Sequence, residues 1–187
     1  LKSSTKWEAY QRLAEHIPTN YLCKHVLCRT TADVQAAWPQ VEDGKGKSGF
    51  RTDSGGDLSP FIHMATLDEA LALVNKHGSD LVYLPCQYVL ADVCGKAIRI
   101  DDDSVLIEWA LCPNAREFDA GRVDGVKHIV LGPASYALWG DSVFRSYSPS
   151  LARSLHFDIL YRELLWSGLE ESAWSFDKVH YRIVLWG

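Results

Sequence analysis

The chain has 187 residues, 47% of them hydrophobic and 23% charged, with a formal net charge of −5 and a pI near 5.8. This is globular composition and argues against wholesale disorder. Without a basic surplus, generic binding to nucleic acid or an anionic membrane is not expected, and no apolar run nears the roughly 20 residues of a membrane span.

The amino end, Leu1-Lys2-Ser3-Ser4, carries neither a secretory pattern nor an initiator methionine, and reads as part of something longer. Residues 5–17 form an amphipathic helix, with Trp7, Tyr10, Leu13, Ala14 and Ile17 at three- and four-residue steps before Pro18. Tyr21 to Arg29 reads as a strand. Thr31 caps a short helix, Ala32–Trp38, that Pro39 is expected to stop.

The stretch from Asp43 to Asp57 follows, where five of the thirteen glycines fall. It reads as a loop or hairpin between strands. Phe61–Met64 is a short apolar segment. Thr66-Leu67-Asp68-Glu69 is a capping box, with Leu67, Ala70, Leu71 and Val74 as the apolar stripe and Gly78 as the stop.

Leu81–Leu84, Tyr88–Val93, Lys96–Ile100, Ser104–Leu111 and Val126–Leu131 are strand-like, with turns at Cys94-Gly95 and Asp101-Asp102-Asp103. Residues 132–148 make a long loop and the internal boundary. Pro149 opens a helix that Gly168 ends. A turn or short helix around Glu170–Phe176 leads into a strand, Val179–Trp186. The expected fold is α+β, a mostly antiparallel sheet of short strands with flanking helices. Residues 1–131 would form one lobe on which 149–187 packs, unless 1–187 is a single domain.

The glycine stretch resembles a phosphate cradle, since Gly-rich backbone can turn N–H groups toward an anion beside Lys45, Lys47 and Arg51. Gly44-x-Gly46-x-x-Gly49 fits a dinucleotide-binding spacing, but no helix follows it. A Walker A loop needs a glycine where Val41 stands. Asp53-Ser54-Gly55-Gly56 has too little chain upstream for a chymotrypsin-like protease. A flexible Gly/Lys hairpin able to lie over phosphates survives, against the alternative of a surface loop without ligand.

Five cysteines without CxxC pairing read as reduced, mostly buried thiols of a cytoplasmic protein. In Cys23-x-His25-x-x-Cys28 a strand sends residues 23 and 25 to one face and 28 to the other. The expectation is a strand with an exposed His25 rather than a ligand set. Glu108 lies in Leu106-Ile107-Glu108-Trp109-Ala110, either on the solvent side of an alternating strand or positioned for a metal. Asp101-Asp102-Asp103 reads as a solvated turn. Arg116-Glu117-Phe118-Asp119 with Gly121-Arg122 is either an exposed turn or a substrate loop.

Several of these segments stand in a familiar order. They are Phe50-Arg51-Thr52-Asp53-Ser54, Asp57-Leu58-Ser59-Pro60, the helix Leu67–Val74, Gln87-Tyr88-Val89-Leu90-Ala91-Asp92-Val93-Cys94-Gly95, Ile107-Glu108 and Gly121-Arg122-Val123. Over roughly 47–125 the chain resembles the ATP-grasp-like ATP-binding domain of phosphoenolpyruvate synthase and pyruvate phosphate dikinase. The resemblance implies ATP and Mg²⁺ as cofactors, Arg51 on the phosphates, Gln87 near the adenine-binding linker and Glu108 on the metal. Thr52-Asp53 and Pro85-Cys86-Gln87 depart from the family pattern, and its later Glu…Leu-Gln-x-Arg segment has no counterpart. The expected function is a nucleotide-binding domain in phosphoryl or acyl-phosphate chemistry, with catalytic residues unassigned. The alternative is a non-catalytic interaction domain that packs against other domains or subunits, which the seven tryptophans would suit.

Overall fold

Thr5 and Glu8 open the first helix by exchanging backbone N–H groups for each other's side-chain oxygens at 3.1 and 3.2 Å. The helix, α1, runs over Lys6–His16 in a computed structural model that describes residues 5–54, 61–112, 115–132, 167–177 and 182–185. Leu13 and Ile17 are buried as their spacing predicts, whereas Ala14 is exposed. A single 3-10 turn, Thr19–Tyr21, follows. The described chain is α+β, with two antiparallel sheets of short strands and helices beside them. It divides into two compact units: Leu1–Gln11 with Cys23–Tyr88, and Arg12–Leu22 with Val89–Gly187.

In the first unit α2 spans Thr31–Val41. Its cap is Thr30, one residue before the expected one, in a reciprocal box with Asp33. Pro39 does not stop it. A proline in the last turn removes one N–H, and burial of Trp38 and Val41 holds that turn in place. Strands β1 (Lys47–Thr52), β2 (Phe61–Thr66) and β3 (Tyr83–Cys86) form a sheet in the order β2-β1-β3. Helix α3 (Leu67–His77) carries the expected Thr66/Glu69 box and ends at Gly78, φ 72°. Phe50, Ala65, Tyr83, Val34, Trp38, Ala70 and Val74 make the core of this unit.

The expected strand over Tyr21–Arg29 is instead an irregular run beside β3, with isolated bridges His25↔Cys86 and Cys28↔Tyr83. Its backbone is still paired: Val26 N–H reaches Pro85 O at 3.0 Å, and Gln87 N–H reaches Lys24 O at 2.8 Å. This irregularity buries Cys23, His25 and Cys28 alike. The prediction of an exposed His25 is therefore overturned.

In the second unit β4 (Ala91–Arg99), β5 (Val105–Leu111), β6 (Lys127–Leu131), β7 (Glu171–Asp177) and β8 (Arg182–Leu185) form an antiparallel sheet in the order β6-β5-β4-β7-β8. Between β5 and β6 lies a short helix, α4 (Ala115–Asp119). Cys94-Gly95 is not the predicted turn but the middle of β4, and Glu171–Asp177 is strand rather than turn or helix. The reason is packing: a Cβ on Gly95 would lie 2.1 Å from the Glu108 carbonyl oxygen and 2.5 Å from the Trp174 ring. The glycine serves close approach, not a bend. The helix expected from Pro149 lies outside the described residues, except that Gly168 takes φ 66° as a helix stop would.

Candidate functional site

The glycine stretch divides between two structures. Gly44 and Gly46, at φ 78° and 74°, turn the chain between α2 and β1, while Gly49 and Arg51 are in β1 itself. Gly49 is buried opposite Cys86. In the turn, the backbone N–H groups of Lys45 and Lys47 converge on Asp43 Oδ1 at 2.8 and 3.2 Å. Asp43 N–H in turn reaches Lys47 O at 2.8 Å. Two backbone donors of the turn thus converge on one carboxylate oxygen, which the turn's own aspartate supplies. Residues 55–57 of the stretch lie outside the described residues. Asp53 caps α1, accepting from Trp7 N–H through Oδ1 at 2.6 Å and from Lys6 N–H through its carbonyl at 3.2 Å.

Arg51 reaches the imidazole of His25. Its Nη2 lies 2.6 Å from His25 Nε2, and His25 Nδ1 lies 2.6 Å from the Cys23 carbonyl oxygen. Guanidinium only donates, so Nε2 is the acceptor and Nδ1 carries the proton that the carbonyl receives. The Tyr10 ring covers the imidazole at 5.0 Å between centroids, and burial pushes its phenol pKa up.

Around His25 the donor atoms of Cys23, His25 and Cys86 all lie within 4.8 Å of one another, and all three residues are buried. Cys23 Sγ donates to the Gln87 carbonyl at 3.0 Å, and Ser48 Oγ donates to the Cys86 carbonyl. A hydrogen bond from Cys23 holds the Cys86 thiol well below the usual thiol range against the opposing effect of burial, with help from His25 and Arg51. Burial alone dominates elsewhere, pushing Cys28 and Cys94 up to about 12. All five cysteines are buried thiols outside any disulfide, as expected. The spacing Cys23-x-His25 held two of the three members of this cluster. Its third member, Cys86, comes from another strand, and nothing in the local sequence marks it.

Gln87 begins the linker that runs from β3 to β4 through Leu90. Glu108 lies on β5 directly opposite Lys96 of β4 and His128 of β6. Val105, Ile107 and Trp109 are fully buried while Leu106 and Glu108 are half-buried, which is the alternation predicted. Lys96 is itself paired with Asp119 at 3.3 Å. Among the described residues the Cys23, His25 and Cys86 group is the only one with three such donors together. Glu108 is not part of it.

No protein-family model matches the chain, and no curated protein matches it in sequence. Solved structures do match. The ATP-grasp ligase PsnB complexed with minimal precursor is 12% identical at a TM-score of 0.50, over 97% of this chain and 50% of that one. The same ligase complexed with minimal precursor, Mg and ADP is 13% identical at 0.50, over 97% and 48%. The chain spans about half the length of these ligase chains. At this identity the likeness is one of fold, and the fold is ATP-grasp-like.

Proposed function

We propose that this ATP-grasp-like chain is a nucleotide-binding domain, acting with Mg-ATP in ligase-like phosphoryl or acyl-phosphate chemistry. The observation that carries the reading is the fold likeness, over nearly the whole chain, to a ligase whose structure holds Mg and ADP. ATP would supply the activated phosphoryl group. Phosphoryl transfer asks the protein mainly for positioning and charge neutralisation. The donor nest at Gly44–Lys47 suits a phosphate oxygen, because it already receives a carboxylate oxygen. Lys45 and Lys47 bring positive charge there and Gly46 leaves the backbone uncovered, whereas Gly49 is buried in β1 opposite Cys86 and takes no part. Arg51 would bind phosphate, Gln87 would line the adenine side of the linker, and Glu108 would hold Mg²⁺. The narrower kinship with phosphoenolpyruvate synthase and pyruvate phosphate dikinase rests on motif order over roughly 47–125.

A second reading is a non-catalytic interaction domain of a larger protein. The occupancy of the nest by Asp43 and the engagement of Arg51 by His25 favour it, because both must rearrange before phosphate can bind. Thermal denaturation with and without Mg-ATP separates the two. A rise in Tm that Arg51→Ala abolishes supports the nucleotide reading, and an unchanged Tm at millimolar Mg-ATP supports the other.

A further inference from the structure

We infer that Cys23, His25 and Cys86 form a buried site for a thiophilic divalent metal ion such as Zn²⁺, and that Arg51 stands in for the ion when it is absent. Two thiols and an imidazole are the donor set such ions select. Across a bound ion these donors stand about 3.5–4 Å apart. Spacings of 4.8 Å or less therefore need to close by only about 1 Å.

The histidine is already set for the task. The Cys23 carbonyl fixes the proton on Nδ1 and leaves the Nε2 lone pair directed away from it. That lone pair now receives Arg51 Nη2. Charge supports an exchange between the two cations. A divalent ion with two thiolates is neutral, as a buried group must be, whereas an ion and a guanidinium together would leave a net positive charge. The cluster thus takes the ion or the Arg51 head group, one at a time. On binding, a sulfur that still carries its proton releases it to solvent buffer and each sulfur forms a bond to the metal, with no change of oxidation state.

The inference is independent of nucleotide binding and is tested without nucleotide. The reduced 187-residue chain is titrated with Co²⁺, followed by its thiolate-to-metal absorption, and then with Zn²⁺ in competition with a chromophoric chelator. One ion per chain is expected, with a thiolate band. Cys23→Ser, Cys86→Ser and His25→Gln each weaken Zn²⁺ binding at least about tenfold. Cys28→Ser, outside the cluster, leaves it unchanged, and Arg51→Met tightens it. Nucleotide binding predicts a loss for an Arg51 variant, so the two readings fail separately. If a cysteine variant does not fold, alkylation mapped by mass spectrometry on the unmodified chain replaces it: Zn²⁺ should protect Cys23 and Cys86. Absence of a thiolate band with the folded chain, a band undiminished in both serine variants, or no protection at either cysteine would each overturn the site.

Discussion

Arg51 Nη2 meets His25 Nε2 at 2.6 Å, joining the central strand of one sheet to an irregular segment that follows the first helix. The pair makes Nε2 of His25 an acceptor and engages the Arg51 head group on the imidazole.

Removing the acceptor should be costly. His25→Ala deletes a part-buried hydrogen bond to a charged donor, worth about 2–3 kcal/mol. Urea unfolding should shift to lower midpoint by roughly 1 M, given typical slopes for small proteins. A loss below about 0.5 kcal/mol would mean that the contact does not contribute to stability.

Mg-ATP at about 100 times its dissociation constant should stabilise the chain by roughly 2.7 kcal/mol. For a protein of this size that corresponds to a Tm rise of about 5–10 °C in a scanning-fluorimetry experiment. Glu108→Gln should reduce the rise if Glu108 holds Mg²⁺, and should leave a rise induced by metal-free ATP unaltered.

Asp43 competes with any phosphate for the N–H groups of Lys45 and Lys47. Asp43→Ala clears the nest and removes a like charge, an effect of about 0.3–1 kcal/mol. Calorimetric titration should show Mg-ATP binding about two- to fivefold tighter in the variant. Weaker binding would indicate that the carboxylate organises the turn for its ligand.

Gly95→Ala should be among the most damaging single changes. The new methyl would collide with the Glu108 backbone, which cannot retreat without parting β4 from β5. Overpacking of this kind costs about 3 kcal/mol or more. Gly44→Ala meets no atom within 4 Å and should cost only the strain of φ 78°, about 1–2 kcal/mol. Equal losses in chemical denaturation would refute the difference in cause.

The Thr66 backbone N–H and hydroxyl hold the Glu69 carboxyl below its usual range. A depressed folded pKa contributes stability that is present above the unfolded carboxylate value and is lost as pH falls through the folded one. Tm measured across the acid range should therefore fall less steeply for Glu69→Gln than for the unchanged chain. An identical slope would show that the box does not govern this part of the acid response.

Local patterns were legible wherever a short stretch of chain settles its own conformation. The amphipathic spacing of Trp7 to Ile17, the box at Thr66 and Glu69 and the alternation of Val105, Ile107 and Trp109 each depend on neighbours in sequence. The α+β class was legible too, and the resemblance pointed to the ATP-grasp-like fold. The sequence by itself therefore determined helices α1 and α3, the box that caps α3 and the burial of the cysteines, but not the irregular run over Tyr21–Arg29 or the strand at Glu171–Asp177. Tertiary structure alone decided what the candidate residues touch. Gly95 reads as a turn until Trp174, far along the chain, is seen to occupy the space of its side chain. His25 reads as exposed until Cys86 and Arg51 arrive from two strands to enclose it. Pairing across a sheet costs chain entropy that depends on the whole fold, so no local motif encodes which strand brings which side chain.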